Sequence, residues 1–263
     1  MATMFSSGDG YEEMMGRHSK KLAPLFVDFA QVRDKGALLD VGCGTGSLTQ
    51  VLAERTHDAR IVGIDPSKSF VDHACHRFSN DKRISIDHGS AVALPYPEKS
   101  FDQSFSLLVL MFIADVDKAI AEMKRVTKPR GTVAACVWDK EGMKMGAMFW
   151  EVAIKLDPAA NASAERSAVL YHEGKLTEQW KNNGLTDVVE MPIDILMEYK
   201  SFEEYWKPQL AGVGPTGAYM DKLPAEQIEK LRIALKKRHL GDRADGPYSL
   251  PARALAVRGT VPS

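Results

Sequence analysis

Apolar and polar positions along the chain fall into two periods. From Tyr11 to Val32 the apolar residues Met14, Met15, Leu22, Leu25, Phe26 and Phe29 recur at near-helical spacing, interrupted by Pro24, which predicts two helices before the first strand. Leu38, Leu39 and Val41 then make a short apolar run of buried-strand length. It breaks into Gly42-Cys43-Gly44-Thr45-Gly46, and a helical pattern follows from Leu48 to Arg55. Ile61 to Ile64 predicts strand two, Ser67 to Phe78 a helix with Pro66 at its start, Arg83 to Asp87 strand three, Gln103 to Leu110 strand four, and Gly131 to Trp138 strand five. Strands alternating with helices imply an α/β fold with a parallel, doubly wound sheet whose ligands bind at the carboxyl ends of the strands.

Beyond Trp138 the alternation stops. Lys144 to Leu156 reads as an amphipathic helix, Pro158 to Ser167 as a looser segment, and Lys175 to Asn183 as a helix opened by Gly174 and closed by Gly184. Leu185 to Glu190 and Ile193 to Glu198 predict a sixth strand broken by Pro192, and Ser201 with Glu204 a capping box for the helix that follows. Leu223 to Leu240 is a long charged helix, and Ser249 to Val261 a final strand. No repeat, low-complexity tract or linker divides the chain. One domain over 1–263 is expected, with N-terminal helices over 11–33, a core over 36–138, and cap insertions at about 140–173 and 200–247.

The glycine turn between strand one and its helix leaves backbone N–H groups open to a ligand, and the helix dipole favours an anionic group there. Nineteen residues after Gly46, Asp65 ends strand two, where a carboxylate can accept hydrogen bonds from both hydroxyls of a ribose. A dinucleotide loop, G-x-G-x-x-G, needs a third glycine where this chain has Ser47, which disfavours an NAD-dependent oxidoreductase.

The pattern from Asp40 to Gly46 is instead D-x-G-x-G-x-G. It resembles motif I of the class I S-adenosylmethionine-dependent methyltransferases, in which the acidic residue on strand one helps hold the loop and the cofactor's amino-acid end. Leu94-Pro95-Tyr96-Pro97 through Phe101-Asp102, then Val116-Asp117-Lys118 through Thr127-Lys128-Pro129-Arg130-Gly131, resemble the ubiquinone/menaquinone-biosynthesis-type branch of that family. Arg130 replaces the first of two glycines, Met111 and Phe112 stand where the branch often carries histidine, and Ser90 stands where an acidic residue usually lies beside the adenine.

The resemblance implies a Rossmann-like, mostly parallel sheet of seven strands with helical cap insertions. It also implies S-adenosylmethionine as cofactor and S-adenosylhomocysteine as product. The cofactor set it implies is Asp40, Gly42, Cys43, Gly44, Thr45, Gly46, Asp65, Pro66, Ser67, Ser90, Ala91 and Leu107. Tyr11, Arg17, Met111, Trp138, Trp150, Tyr171 and Trp206 are the candidate acceptor-pocket residues, and most of these aromatics serve equally well to hold the cap to the core. His18 and His172 are the candidate general bases, since histidine titrates near neutrality. The expected activity is methyl transfer to O, N or C of a small hydrophobic or aromatic molecule. A non-catalytic S-adenosylmethionine-binding regulatory module is the alternative.

Composition narrows the partners. The 263 residues carry a formal net charge of −1, so no overall basic field gathers nucleic acid. The longest apolar run, Leu107 to Ala114, is far short of a membrane span, and Met1 to Lys20 lacks the order of a signal peptide. Three scattered cysteines with no C-x-x-C pair suit a reducing compartment, and no metal-ligand spacing is present. A cytoplasmic enzyme with a small-molecule acceptor, no metal, and a monomeric or homodimeric state is the resulting expectation.

Overall fold

The computed structural model describes residues 15–166, 171–210, 212 and 214–263. Their strands are β1 (Lys35–Val41), β2 (Asp58–Asp65), β3 (Ile84–His88), β4 (Phe101–Leu107), β5 (Thr127–Trp138), β6 (Thr186–Tyr199) and β7 (Tyr248–Thr260). They form one sheet in the order β3-β2-β1-β4-β5-β7-β6, parallel except for β7, which runs antiparallel between β5 and β6. Leu38, Leu39 and Val41 in β1 and Ile61, Val62 and Ile64 in β2 are all buried. Near-continuous apolar runs of this kind belong to strands covered on both faces.

The helices are α1 (Arg17–Ala30), α2 (Ser47–Arg55), α3 (Lys68–Arg77), α4 (Val116–Val126), α5 (Lys144–Leu156), α6 (Asn161–Arg166), α7 (Lys175–Asn182), α8 (Phe202–Gln209), α9 (Gly214–Met220) and α10 (Ala225–Leu240). Helix α1 packs on α2 and against β5, β6 and β7; α4 packs on β4 and β5, α7 on β6 and β7, and α10 on α5 and α8.

Several details differ from the sequence expectation. Among the described residues the N-terminal pattern is one helix, α1, and Pro24 sits inside it. The stripe His18, Leu22, Phe26 and Ala30, with Ser19, Ala23 and Val27 beside it, is buried along its length, and that burial outweighs the one backbone bond the proline removes. His18 therefore lies on the buried side of this helix rather than the polar one. The sixth strand is continuous through Pro192, which an edge strand tolerates because its outward positions need no N–H. Ser201 makes no side-chain cap bond to α8, and Glu204 instead accepts from the Lys200 N–H at 2.5 Å.

One buried polar side chain, Gln103, ties α1 to the sheet, and the half-buried Asp102 beside it braces the strands. The Gln103 amide in β4 accepts from the Arg33 N–H at 2.7 Å and donates to the Gln31 carbonyl at 3.2 Å, so it satisfies the left-handed end of the helix. Asp102 accepts from the Ala37 N–H at 2.8 Å and pairs with Lys128. At the other end of the sheet, β1 through β6 deliver Gly42, Asp65, His88, Leu107, Trp138 and Tyr199 to the carboxyl-terminal side, and antiparallel β7 adds Tyr248.

Candidate functional site

The strand order reverses between β1 and β4, and the glycine loop leaves β1 at that point. Such a switch point opens a crevice in an α/β sheet. The loop is fixed from below by Gly42 and Cys43 N–H bonds to the Ile64 carbonyl, at 2.7 and 3.1 Å. Gly42, Gly44 and Gly46 all have positive φ, a region other residues enter only with strain. Their surroundings differ. A Cβ at Gly42 would lie 2.5 Å from a Val109 methyl, and one at Gly46 would lie 2.3 Å from the Phe78 ring. A Cβ at Gly44 would meet only Phe70, at 4.0 Å, so the centre of the loop keeps open space above it.

Asp40 lies beneath this loop, 1% exposed. Its Oδ2 accepts from the Thr49 hydroxyl at 2.7 Å, and its Oδ1 meets no donor among the described residues. Burial pushes its carboxyl up to about 7, with Thr49 opposing and the Asp65 charge reinforcing. An orphaned, desolvated carboxylate oxygen at a glycine loop is a fitting partner for a ligand ammonium.

Asp65 was expected as a ribose ligand, and its carboxylate also braces the loop. Oδ2 accepts from the Gly44 N–H at 2.9 Å and Oδ1 from the Ser67 N–H at 2.8 Å, which leaves each oxygen one further lone pair. Burial raises its pKa while those two N–H groups pull it down. Pro66 is exposed, and its carbonyl meets His88 Nε2 at 3.0 Å. Thr45 is buried in the turn. Cys43 packs against Gly63, where a Cβ would lie 2.9 Å from its sulfur, and burial pushes its thiol far up.

Past β3 the chain bends at Ser90, which is exposed and accepts weakly from the Val92 N–H at 3.4 Å, with Ala91 half-buried beside it. This bend is gripped from α4. Glu122 accepts from the Leu94 N–H at 2.8 Å, and Arg125 donates to the Tyr96 and Leu94 carbonyls at 2.8 and 3.0 Å. Leu107 is buried at the end of β4, and Leu108 follows with φ of 61° while its N–H reaches the Cys136 carbonyl at 2.7 Å. A bulky residue in that region signals local strain of about 1 kcal/mol. The strained exit sets Val109 against Gly42 and buries Met111.

The acceptor-side candidates lie in several places. Tyr11 falls outside the described residues. His18 is 1% exposed; its Nε2 lies 3.5 Å from the Tyr199 hydroxyl, its Nδ1 meets no partner among the described residues, and burial lowers its pKa to about 4, helped by Arg17. Arg17 pairs with Glu204 at 2.8 Å and covers the Tyr199 ring. His172, by contrast, is exposed on a turn, with Nδ1 3.1 Å from the Glu173 carbonyl.

Trp138 is buried at the end of β5. Tyr171 is fully buried, and its backbone bridges to Asp139 next to Trp138. Trp150 packs edge-on to Phe149 and Tyr219, and Trp206 stacks on Phe202. Trp150 and Trp206 therefore make ring contacts within the helices beyond the core. Val109, Tyr199 and Tyr248 were not singled out from the sequence. Val109 sits in an unbroken apolar run, and the two tyrosines meet only because β6 and β7 pair in register.

Comparison with known proteins agrees with this geometry. A family model described as a methyltransferase domain matches residues 39–135. A demethylmenaquinone methyltransferase of Bacillus licheniformis is 38% identical over 101 residues, which cover 38% of this chain and 44% of that protein. Matches to the curated relatives span between 31% and 55% of those proteins' own lengths. The crystal structure of the YcgJ protein of Bacillus subtilis superposes with a TM-score of 0.61 at 18% identity, covering 94% of this chain and 99% of that one. A Haemonchus contortus phosphoethanolamine N-methyltransferase 2 in complex with S-adenosylmethionine superposes with a TM-score of 0.60 at 17% identity, covering 97% and 57%. Residues 39–135 thus match a methyltransferase domain, and the described residues share the fold of solved methyltransferase structures.

Proposed function

We propose that this chain binds S-adenosylmethionine on the Gly42–Gly46 loop and transfers its methyl group to O, N or C of a small hydrophobic or aromatic acceptor. The observation that carries the reading is Asp40 Oδ1, a buried carboxylate oxygen with no donor among the described residues, directly under an open glycine loop. In this reading Asp40 takes the cofactor's ammonium, and Asp65 uses its remaining lone pairs for the ribose hydroxyls. Ser90 and Ala91 border the adenine, and Leu107 lies along the pocket. The bound cofactor supplies an electrophilic methyl on a sulfonium, so the chain's own task is to hold, align and exclude water. Positioning of that kind is worth roughly 7–11 kcal/mol.

The acceptor enters from the side of Met111, Trp138, Tyr171 and α1; Tyr11, Arg17, Trp150 and Trp206 frame it. His18 is the favoured base. Its imidazole is neutral across the physiological range and keeps one nitrogen uncommitted, whereas His172 faces solvent. The three cysteines are free, and among the described residues no helix is long and apolar enough to cross a membrane.

Calorimetric titration with S-adenosylmethionine, S-adenosylhomocysteine and NAD tests the cofactor. Micromolar binding of the first two is expected, and binding of NAD alone would overturn the reading. A panel of phenols, quinols and amines then tests the acceptor, with His18→Ala expected to lower kcat by about 100-fold on a hydroxyl acceptor. Cofactor binding with no turnover on any acceptor would point to a regulatory module instead.

A further inference from the structure

We infer that Arg77 and Phe78, at the far end of α3, form a rear clamp that holds the glycine loop in its ligand-ready conformation, so that both are positioning residues for the cofactor. This rests on reading the loop as the cofactor cradle. Arg77 lies in the last turn of α3, where a cation is favoured by the helix dipole. Its guanidinium donates to the Thr45 carbonyl at 3.0 Å and also reaches the Gln50 side chain in α2. The same group lies 5.3 Å from the Phe78 ring, and that ring occupies the space a side chain at Gly46 would fill.

The peptide between Thr45 and Gly46 is thereby held from both sides. Arg77 takes its carbonyl, and the Cys43 carbonyl takes its N–H at 2.9 Å. A loop with three positive-φ glycines can rotate its peptides with little steric penalty, so its preorganisation must come from such external contacts. Helix α3 supplies them at both ends. Its entry carries Ser67, whose N–H holds the Asp65 carboxylate, and its first turn carries Phe70 beside Gly44, while its exit carries the clamp.

The clamp borders an open cavity of about 320 Å³ lined by Gln50, Arg77, Phe78, Asp81 and Arg83 among others. Arg83 provides an internal control. It lines the same cavity and donates to carbonyls of Ala53 and Thr56, at the end of α2, rather than to the glycine loop.

The test compares the full chain with Arg77→Ala, Arg77→Lys and Arg83→Ala. The first readout is hydrogen exchange of residues 44–47 without ligand, which does not depend on the cofactor's identity. Arg77→Ala is expected to speed exchange there about tenfold, with Arg77→Lys intermediate and Arg83→Ala unchanged despite a lowered Tm. The second readout is the Kd for S-adenosylhomocysteine, expected to weaken about tenfold in Arg77→Ala only. Low millimolar guanidinium, entering the cavity the truncation enlarges, should restore both values in Arg77→Ala and leave wild type unmoved.

Unchanged loop exchange in Arg77→Ala, or equal effects in Arg83→Ala, would overturn the clamp. Failure of wild type to bind S-adenosylhomocysteine would instead overturn the cofactor reading, with the exchange data still deciding the clamp.

Discussion

Asp40 couples the glycine loop to pH. Unfolded, its carboxyl loses its proton near 3.8, whereas in the fold burial holds the proton to about 7. Folding therefore takes up a proton between those values, and this residue makes the unliganded protein less stable as pH rises from about 4 to about 7. A ligand ammonium needs the ionised form, so cofactor affinity should rise over the same approach to neutrality. Asp40→Asn is expected to raise unliganded stability at pH 8, measured by urea denaturation, while binding falls by at least tenfold. Loss of both together would assign Asp40 a purely structural role.

The loop glycines separate in the same way. Gly42→Ala drives a methyl into Val109 and should destabilise by about 2–4 kcal/mol. Gly44→Ala has room for its methyl and should cost about 1 kcal/mol of stability, yet place that methyl in the open space proposed for the cofactor. Equal losses of stability in the two would contradict an open cradle at Gly44.

At the scale of elements, the core was legible because its signals are local. Leu38-Leu39-Asp40-Val41 ends in a glycine turn, and Ile61 to Asp65 ends in a carboxylate and a proline. In each case the chemistry that stops the strand also marks the ligand end. Misreadings came where tertiary contacts overrule a local rule. Pro24 suggests a helix break, but seven buried positions of α1 lie against the rest of the fold and keep the helix whole. Pro24→Ala should therefore restore a backbone bond and add about 1–2 kcal/mol in denaturant titration; a loss of stability would mean that the proline ring itself packs well.

Pro192 suggests a strand break, but β6 is an edge strand. The aromatic–histidine cluster was least legible. Tyr199, Tyr205, His239 and Tyr248 converge from β6, α8, α10 and β7, and no sequence spacing records that meeting. His18 joins them from α1, where its charged neighbours Arg17, Lys20 and Lys21 give the local sequence a polar look that hides its burial.

That aromatic–histidine cluster ties the N-terminal helix and the helices beyond the core to one end of the sheet. Its two imidazoles are both held near 4 by burial, with Arg17 and Lys21 adding to the effect at His18 and Arg238 at His239, and Glu204 opposing at His18. Unfolded histidine protonates near 6.5, so the stability gained by keeping these two neutral is full above that value and is lost as pH falls from 6.5 towards 4. This runs opposite to the effect of Asp40. His239→Gln should flatten the acid limb of a Tm-against-pH curve, and an unchanged slope would show that His239 is already protonated or solvated in the fold.

The molecule as a whole places a braced, open glycine loop at the switch point and an aromatic–histidine cluster at the same end of the sheet, and the proposal of methyl transfer to a small apolar acceptor rests on that loop. The most direct measurement is calorimetric titration of the full chain with S-adenosylmethionine at pH 6 and pH 8, beside Asp40→Asn. Micromolar binding that is tighter at pH 8 and lost in the variant is the predicted result. Binding that is equally tight at both pH values and survives the substitution would contradict Asp40 as the ammonium's partner and remove the observation on which the functional reading stands.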